Sequence, residues 1–83
     1  MKILTIKYNG KLELINSPDK YKTGEICEDR VGLVRMIERM IPDRKRKFSL
    51  RVHDQLPQLA YEELKEEIRR AGFTKVKYEQ ISY

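Results

Sequence analysis

A chain of 83 residues holds one compact domain and leaves no room for a second. Its single cysteine excludes an internal disulfide, and one cysteine with one histidine cannot form a zinc site from Cys and His ligands. Lys and Arg outnumber Asp and Glu by 18 to 13, which gives a net charge of +5. Four positive charges are consecutive in the run Arg44, Lys45, Arg46 and Lys47, and without this run the chain would be almost neutral. The basic character is therefore local, which excludes a molecule-wide basic field and indicates a docking surface.

The first 15 residues predict a β-hairpin around Asn9 and Gly10. A two-residue loop would place the apolar residues of the two strands on opposite faces. A three-residue loop of residues 8–10, with Gly10 in the left-handed conformation, instead collects them on one buried face. We therefore predict the pairs Ile6 with Leu12 and Leu4 with Leu14.

Residues 16–28 contain turn-forming residues without clear periodicity and are predicted to form the longest irregular segment. Lys20, Tyr21 and Lys22 place an aromatic ring between two cations in this segment, an arrangement suited to a partner. The alternative is a solvated connector in which Tyr21 covers the edge of the core.

From about Asp29 to Ile41, apolar residues recur at helical spacing and predict a broad, well-buried helix. Acidic residues lie at its start, and Pro42 and the cationic run follow its end, as the helix macrodipole prefers. The run therefore has a second interpretation, as a complement to the helix terminus.

Phe48, Leu50 and Val52 alternate with polar residues and predict a half-buried strand. A second helix is predicted from Asp54 and Pro57 through Ala71, with Gly72 as its stop, and a last strand follows with Val76 and Tyr78 facing inward. The element order ββαβαβ predicts an α+β or α/β two-layer sandwich, in which a four-stranded mixed sheet carries both helices on one face. We expect the other face, with Thr5, Arg51 and His53 among its residues, to be open, polar and mildly basic.

The residues that usually carry catalysis are poorly placed for it. His53 is expected to be a partly exposed strand residue, and Cys27 precedes carboxylates that oppose thiolate formation. Four glutamates between residues 62 and 67 are interleaved with Lys65, Arg69 and Arg70, as on a solvated helix face with salt bridges. Glycine-rich phosphate loops are absent from the sequence. We predict no enzyme activity, cofactor or metal.

The basic residues suit either of two partners. A larger protein or nucleoprotein complex would be docked by charge, with this chain acting as a regulator or inhibitor. Direct, sequence-independent binding of nucleic acid is the alternative, although stacking aromatics are missing from the predicted sheet face. The predicted partner-binding residues are Arg44, Lys45, Arg46, Lys47, Lys20, Tyr21, Lys22, Arg51, Lys75 and Lys77.

The sequence also gives expectations for the cellular location and the oligomeric state of the protein. The sequence contains no apolar stretch near the roughly 18–20 residues that span a bilayer, and the chain starts directly with an alternating pattern rather than a signal peptide. We therefore expect a soluble, unprocessed, cytoplasmic protein without membrane contact. An exposed edge strand could also pair with a second copy to give a homodimer.

Overall fold

The computed structural model describes residues 1–83. Its elements in chain order are β1 (Lys2–Tyr8), β2 (Leu12–Ile15), β3 (Glu25–Cys27), α1 (Arg30–Met40), β4 (Phe48–His53), α2 (Gln58–Arg70) and β5 (Val76–Ile81). The strands form one mixed sheet in the order β3-β2-β1-β4-β5, in which β1, β4 and β5 are parallel and β2 is antiparallel to both of its neighbours. The α+β class, the mixed sheet and the two helices are as predicted. The prediction of four strands is wrong, because the sheet has five.

The additional strand is β3, which lies in the segment predicted to be irregular. Its three residues are too few to show an alternating pattern, so periodicity could not reveal it. Gly24 lets the chain approach β2 closely, because a β-carbon at this position would lie 2.2 Å from the carbonyl oxygen of Leu14. The Gly24 amide also donates to Glu13 Oε2 at 2.8 Å. Strand β3 then pairs with β2, with Cys27 opposite Leu12.

The hairpin of β1 and β2 has a three-residue loop with Gly10 at a φ of +98°, as predicted, but its register is shifted. Tyr8 pairs with Leu12 and Ile6 pairs with Leu14, so residues 9–11 form the loop. The predicted pairs of Ile6 with Leu12 and of Leu4 with Leu14 are wrong. The observed register keeps Tyr8 within β1, where its ring packs against the core instead of standing in the turn.

Both helices begin and end near their predicted boundaries. The Asp29 side chain caps α1 by accepting a hydrogen bond from the Gly32 amide at 2.8 Å. Gly72 follows α2 with a φ of +102°, the usual way for a helix to stop. The buried helix residues are Leu33, Val34 and Ile37 in α1 and Tyr61, Leu64 and Ile68 in α2.

The core lies between the two helices and one face of the sheet. Leu4 and Ile6 of β1 are in register with Leu50 and Val52 of β4, and all of them are fully buried under the helices. At the amino end of β4, Phe48 packs edge-to-face on Phe73 with ring centres 5.7 Å apart. Neither helix is long and apolar enough to cross a membrane.

The sheet face opposite the helices is partly covered, which corrects the prediction of an open face. Thr5 and Ile15 point away from the helices and yet are 0% and 1% exposed. The segment after β2 passes over them, and Thr5 Oγ1 donates to the carbonyl oxygen of Ser17 at 2.7 Å. The prediction of an open face was wrong because the hydrophobic pattern of the sequence does not show that this loop crosses the sheet.

Candidate partner-binding surface

Arg44 is held by the fold and is the exception within the predicted cationic run. Its guanidinium group lies over the Phe73 ring, 5.0 Å from the ring centre, and forms an ion pair with Glu38 of α1. Arg44 also lies against Gly72, the residue that ends α2. Its position agrees with the second interpretation of the run, because Arg44 ties the end of α1 to the end of α2.

The other three cations of the run, Lys45, Arg46 and Lys47, are exposed in the loop between α1 and β4. Asp43 shapes this loop, since its carboxylate accepts from the Lys45 amide at 2.9 Å and its carbonyl oxygen accepts from the Arg46 amide at 3.1 Å. The salt bridges of the molecule include none of the three side chains. Their charges are therefore available to a partner.

The parallel strands bring more cations to the same edge. Phe48 of β4 is in register with Val76 of β5, so the loops that enter these two strands lie side by side. Lys47, Lys75 and Lys77 line a shallow depression of about 300 Å³ there. We call Lys45, Arg46, Lys47, Lys75 and Lys77 the amino-edge patch.

The amino-edge patch holds a formal charge equal to that of the whole molecule. The chain has 18 basic and 13 acidic residues. Five of the basic residues belong to the patch, so the rest of the chain has 13 basic and 13 acidic residues. The residues that line the depression include no carboxylate. The patch is therefore a cationic surface on an otherwise balanced molecule. Lys2, in register with Phe48 at the same edge, is a neighbour that the sequence pattern missed because it depends on strand order.

The remaining predicted partner-binding residues lie elsewhere, over the covered face of the sheet. Lys20 Nζ lies 5.1 Å from the centre of the Tyr83 ring and donates to the carbonyl oxygen of Ser82. Tyr21 meets Tyr83 edge-on, with ring centres 6.1 Å apart, although it remains 77% exposed. These contacts hold the chain end against the loop.

Arg51 belongs to the same cover and not to the patch. It approaches the Pro18 carbonyl oxygen at 3.4 Å and Glu79 at 3.6 Å. Lys22, in the segment between β2 and β3, is exposed and forms no ion pair. The ten predicted residues therefore divide into the five of the amino-edge patch, Arg44 at the helix ends, and four others, of which Lys20, Tyr21 and Arg51 have partners within the chain.

His53 is buried, which corrects the prediction that it is partly exposed. Its Nδ1 atom accepts a hydrogen bond from the Tyr8 amide at 3.2 Å, and its ring lies 4.3 Å from the Tyr83 ring. His53 Nε2 is 3.8 Å from the Asp54 carboxylate, too far for a hydrogen bond. The cover of Tyr83 explains the burial, and the imidazole serves to join β1, β4 and the chain end.

Cys27 is also buried, with its sulfur 3.3 Å from Met36 Sδ. Burial raises the pKa of the Cys27 thiol, and the neighbouring charges of Glu25 and Asp29 raise it further against the opposing effects of a backbone hydrogen bond and of Arg39. The thiol therefore stays protonated near neutral pH and is a poor nucleophile.

The glutamates of α2 form ion pairs along the helix surface. Arg30 of α1 reaches Glu63 at 2.6 Å and Glu67 at 3.6 Å, and within α2 Lys65 reaches Glu62 at 3.2 Å. A hydrogen bond from Arg69 lowers the pKa of Glu66. The molecule has no group of three or more His, Cys, Asp or Glu side chains placed to hold a metal ion.

The best-formed cavity, about 500 Å³, lies between the starts of α1 and α2. Its walls are largely apolar, with Tyr8, Leu12 and Leu56 among them. Of its charged groups, Asp29 caps α1, Arg30 and Glu67 pair with one another, and only Glu28 has neither a capping role nor an ion-pair partner. The cavity therefore lacks the convergent free polar groups of an active site.

Comparison with known proteins finds no matching protein-family model, no curated protein and no solved structure with significant similarity. The chemistry of the surface is therefore the basis for a functional proposal.

Proposed function

We propose that the protein is a non-enzymatic binding module that docks through the amino-edge patch onto an acidic surface of a larger protein or nucleoprotein complex. The observation that carries the proposal is that five cations, four from two loops and Lys77 from β5, gather at one edge and none of them forms an ion pair within the chain. Of the seven arginines outside the patch, five have carboxylate partners, namely Arg30, Arg44, Arg51, Arg69 and Arg70, whereas the unpaired Arg35 and Arg39 lie apart from the patch on α1. The module regulates or inhibits its target by occupying the docking site.

The form of the patch favours a protein partner over single-stranded nucleic acid. Stacking on aromatic rings supplies much of the sequence-tolerant affinity for unpaired bases. The exposed tyrosines, Tyr21 and Tyr83, lie on the covered sheet face and not at the patch. A shallow cationic surface without such rings suits the carboxylates of an acidic protein, with charge steering the encounter.

The state of the titratable groups also supports binding rather than catalysis. The Cys27 thiol is buried and protonated, the imidazole of His53 is used by the Tyr8 amide, and the glutamates of α2 are paired with cations. A nucleophile or general base needs a free, positioned group within reach of a substrate.

The test compares two triple variants with equal charge change. K45Q/R46Q/K47Q removes the loop cations of the patch, and K11Q/R35Q/R39Q removes three exposed cations that also lack ion pairs but lie in the hairpin loop and on α1. Proteins captured from a host lysate by the parent, with and without nuclease, are identified and the affinity of the purified partner is measured for each variant.

We expect capture to survive nuclease. The patch variant should bind about tenfold more weakly, since three peripheral charge contacts of about 0.5 kcal/mol each sum to about 1.5 kcal/mol, close to the free-energy equivalent of a tenfold change. The control should bind as the parent does. Equal loss in both variants would reduce the effect to net charge and contradict the proposal. Capture that nuclease abolishes would instead identify direct nucleic-acid binding.

A further inference from the structure

Strand β5 presents a free edge with unpaired backbone groups. The amide of Phe48 donates to the carbonyl oxygen of Lys75 at 3.3 Å, and the amide of Asp54 donates to that of Ile81 at 2.8 Å. Odd-numbered residues of β5 therefore direct their backbone groups toward β4, and the alternation of a strand directs those of Val76, Tyr78 and Gln80 outward. The opposite edge of the sheet is the much shorter β3.

The free edge of β5 is complementary to itself in one antiparallel register. With Tyr78 opposite the partner's Tyr78, Val76 lies opposite the partner's Gln80, and these residues exchange the backbone hydrogen bonds that point outward. The same register places Lys77 opposite the partner's Glu79, in the non-hydrogen-bonded position where side chains approach most closely. A lysine on an edge strand normally discourages pairing, but Glu79 supplies the matching charge.

Helix α2 carries a second self-complementary pattern beside this edge. Glu62, Lys65, Glu66 and Arg69 line a groove of about 390 Å³ together with Val76 and Tyr78 of β5. When a second copy of α2 runs antiparallel to the first, Glu62 lies opposite the partner's Arg69 and Lys65 lies opposite the partner's Glu66. Lys65 Nζ lies 5.9 Å from the centre of the Tyr78 ring, so the middle of the helix stripe is level with the centre of the strand register.

We propose that two copies of the chain associate antiparallel along β5, about a twofold axis at Tyr78, into one continuous sheet with all helices on one face. Two independent charge patterns, one on the strand and one on the helix, match in the same symmetric arrangement. The dimer engages Lys77 and leaves Lys45, Arg46, Lys47 and Lys75 of each amino-edge patch free. Association along β5 does not require a partner at the amino-edge patch.

The test measures mass by sedimentation equilibrium over a wide concentration range. The parent should pass from 10.0 kDa to twice that mass. K77E and E79K each place like charges opposite one another, and each should raise the dimer dissociation constant about tenfold or more. An equimolar mixture of K77E and E79K restores opposite charges at both positions and should recover the dimer. A structural effect of either substitution, such as the loss of the Glu79 contact with Arg51, would persist in the mixture. Recovery of the dimer would therefore show that residues 77 and 79 face each other across the twofold axis.

Q80P provides an independent check, because the Gln80 amide points outward and a proline ring there blocks pairing without removing a hydrogen bond to β4. Circular dichroism confirms that each variant is folded. A parent that stays monomeric to millimolar concentration overturns the proposal, as does a dimer that survives Q80P. Failure of the mixture to recover the dimer overturns the Tyr78-centred register.

Discussion

Replacing Gly24 by alanine tests the close approach that places β3 in the sheet. The added β-carbon would lie 2.2 Å from the carbonyl oxygen and 2.7 Å from the carbonyl carbon of Leu14, and 2.9 Å from Ile15 Cγ1. The carbonyl atoms belong to the backbone of β2, so a change of rotamer cannot relieve the overlap. Since carbon and carbonyl oxygen normally approach to about 3.3 Å, the chain must move by about 1 Å.

The expected loss of stability follows from two effects. Overpacking of this kind costs about 1–3 kcal/mol. The displacement also weakens the hydrogen bond from the Gly24 amide to Glu13 Oε2, which contributes about 1 kcal/mol. The total of about 2–4 kcal/mol is a large part of the about 4–12 kcal/mol that stabilises a domain of this length.

Urea unfolding followed by circular dichroism measures this loss. With a slope of about 1 kcal/mol per molar urea, the midpoint of Gly24→Ala should fall by about 2–4 M. Cys27 of β3, 3% exposed in the parent, should react faster with a thiol reagent in the native variant. The matched control is Gly32→Ala in α1, whose β-carbon meets Asp29 Oδ1 only at 3.4 Å and whose helix propensity should raise stability by about 0.5–1 kcal/mol. A Gly24→Ala protein within about 0.5 kcal/mol of the parent, with unchanged thiol labelling, would refute the close contact between β2 and β3.

Three other perturbations test the remaining contacts. Burial raises the pKa of Tyr78 to about 12, so the unfolded chain loses this proton first, and the Tyr78 share of stability should fall between pH 10 and 12 by about 1–2 kcal/mol after allowance for partial exposure. Burial also raises the pKa of Tyr61 and of Tyr83, so Tyr78→Phe should reduce the alkaline fall in pH-dependent urea titrations by the Tyr78 share without abolishing it; an unchanged fall would contradict the burial of Tyr78. Thr5→Val, which leaves the Ser17 carbonyl oxygen without its donor, should cost about 1 kcal/mol and speed amide exchange in the following loop; unchanged exchange would contradict the cover over the sheet. Arg44→Gln should lower the thermal midpoint by about 4–8 °C for a loss of about 1 kcal/mol, whereas K45Q/R46Q/K47Q should leave it within about 2 °C; equal shifts would remove the distinction between Arg44 and its neighbours.

The elements with a clear hydrophobic period were predictable from the sequence. Both helices repeat apolar residues over several turns, and their ends are marked by local chemistry at Asp29 and Gly72. Strand β4 alternates cleanly from Phe48 to Val52. Such signals depend only on neighbouring residues, so tertiary contacts did not alter them.

The features that the sequence pattern missed depend on tertiary contacts. The three residues of β3 have no measurable period, and their pairing depends on the approach of Gly24 to Leu14. The hairpin register depends on whether Tyr8 is in the strand or in the loop. Tyr8 is in the strand because its ring packs against the core. The burial of His53 depends on Tyr83, which is distant along the chain.

The sequence predicted that the candidate site would contain a cluster of basic residues, but not which residues would lie together. The cationic run is visible in the sequence, but its association with Lys75 and Lys77 requires the parallel pairing of β4 with β5. The different role of Arg44 requires the ring of Phe73 beneath it. Periodicity describes which face a residue occupies, and it does not describe which strands are neighbours.

The distribution of charge argues against solubility as the reason for the amino-edge patch. Charges that only keep a protein soluble can be spread over the surface, where each one also finds carboxylates nearby. In this molecule most arginines are paired, and the chain outside the patch is formally neutral. The unbalanced charge is instead concentrated at the start of two parallel strands, where its mutual repulsion opposes folding. A partner with negative charge removes that repulsion on binding, so the free energy of docking should include its relief and should decrease as salt screens it.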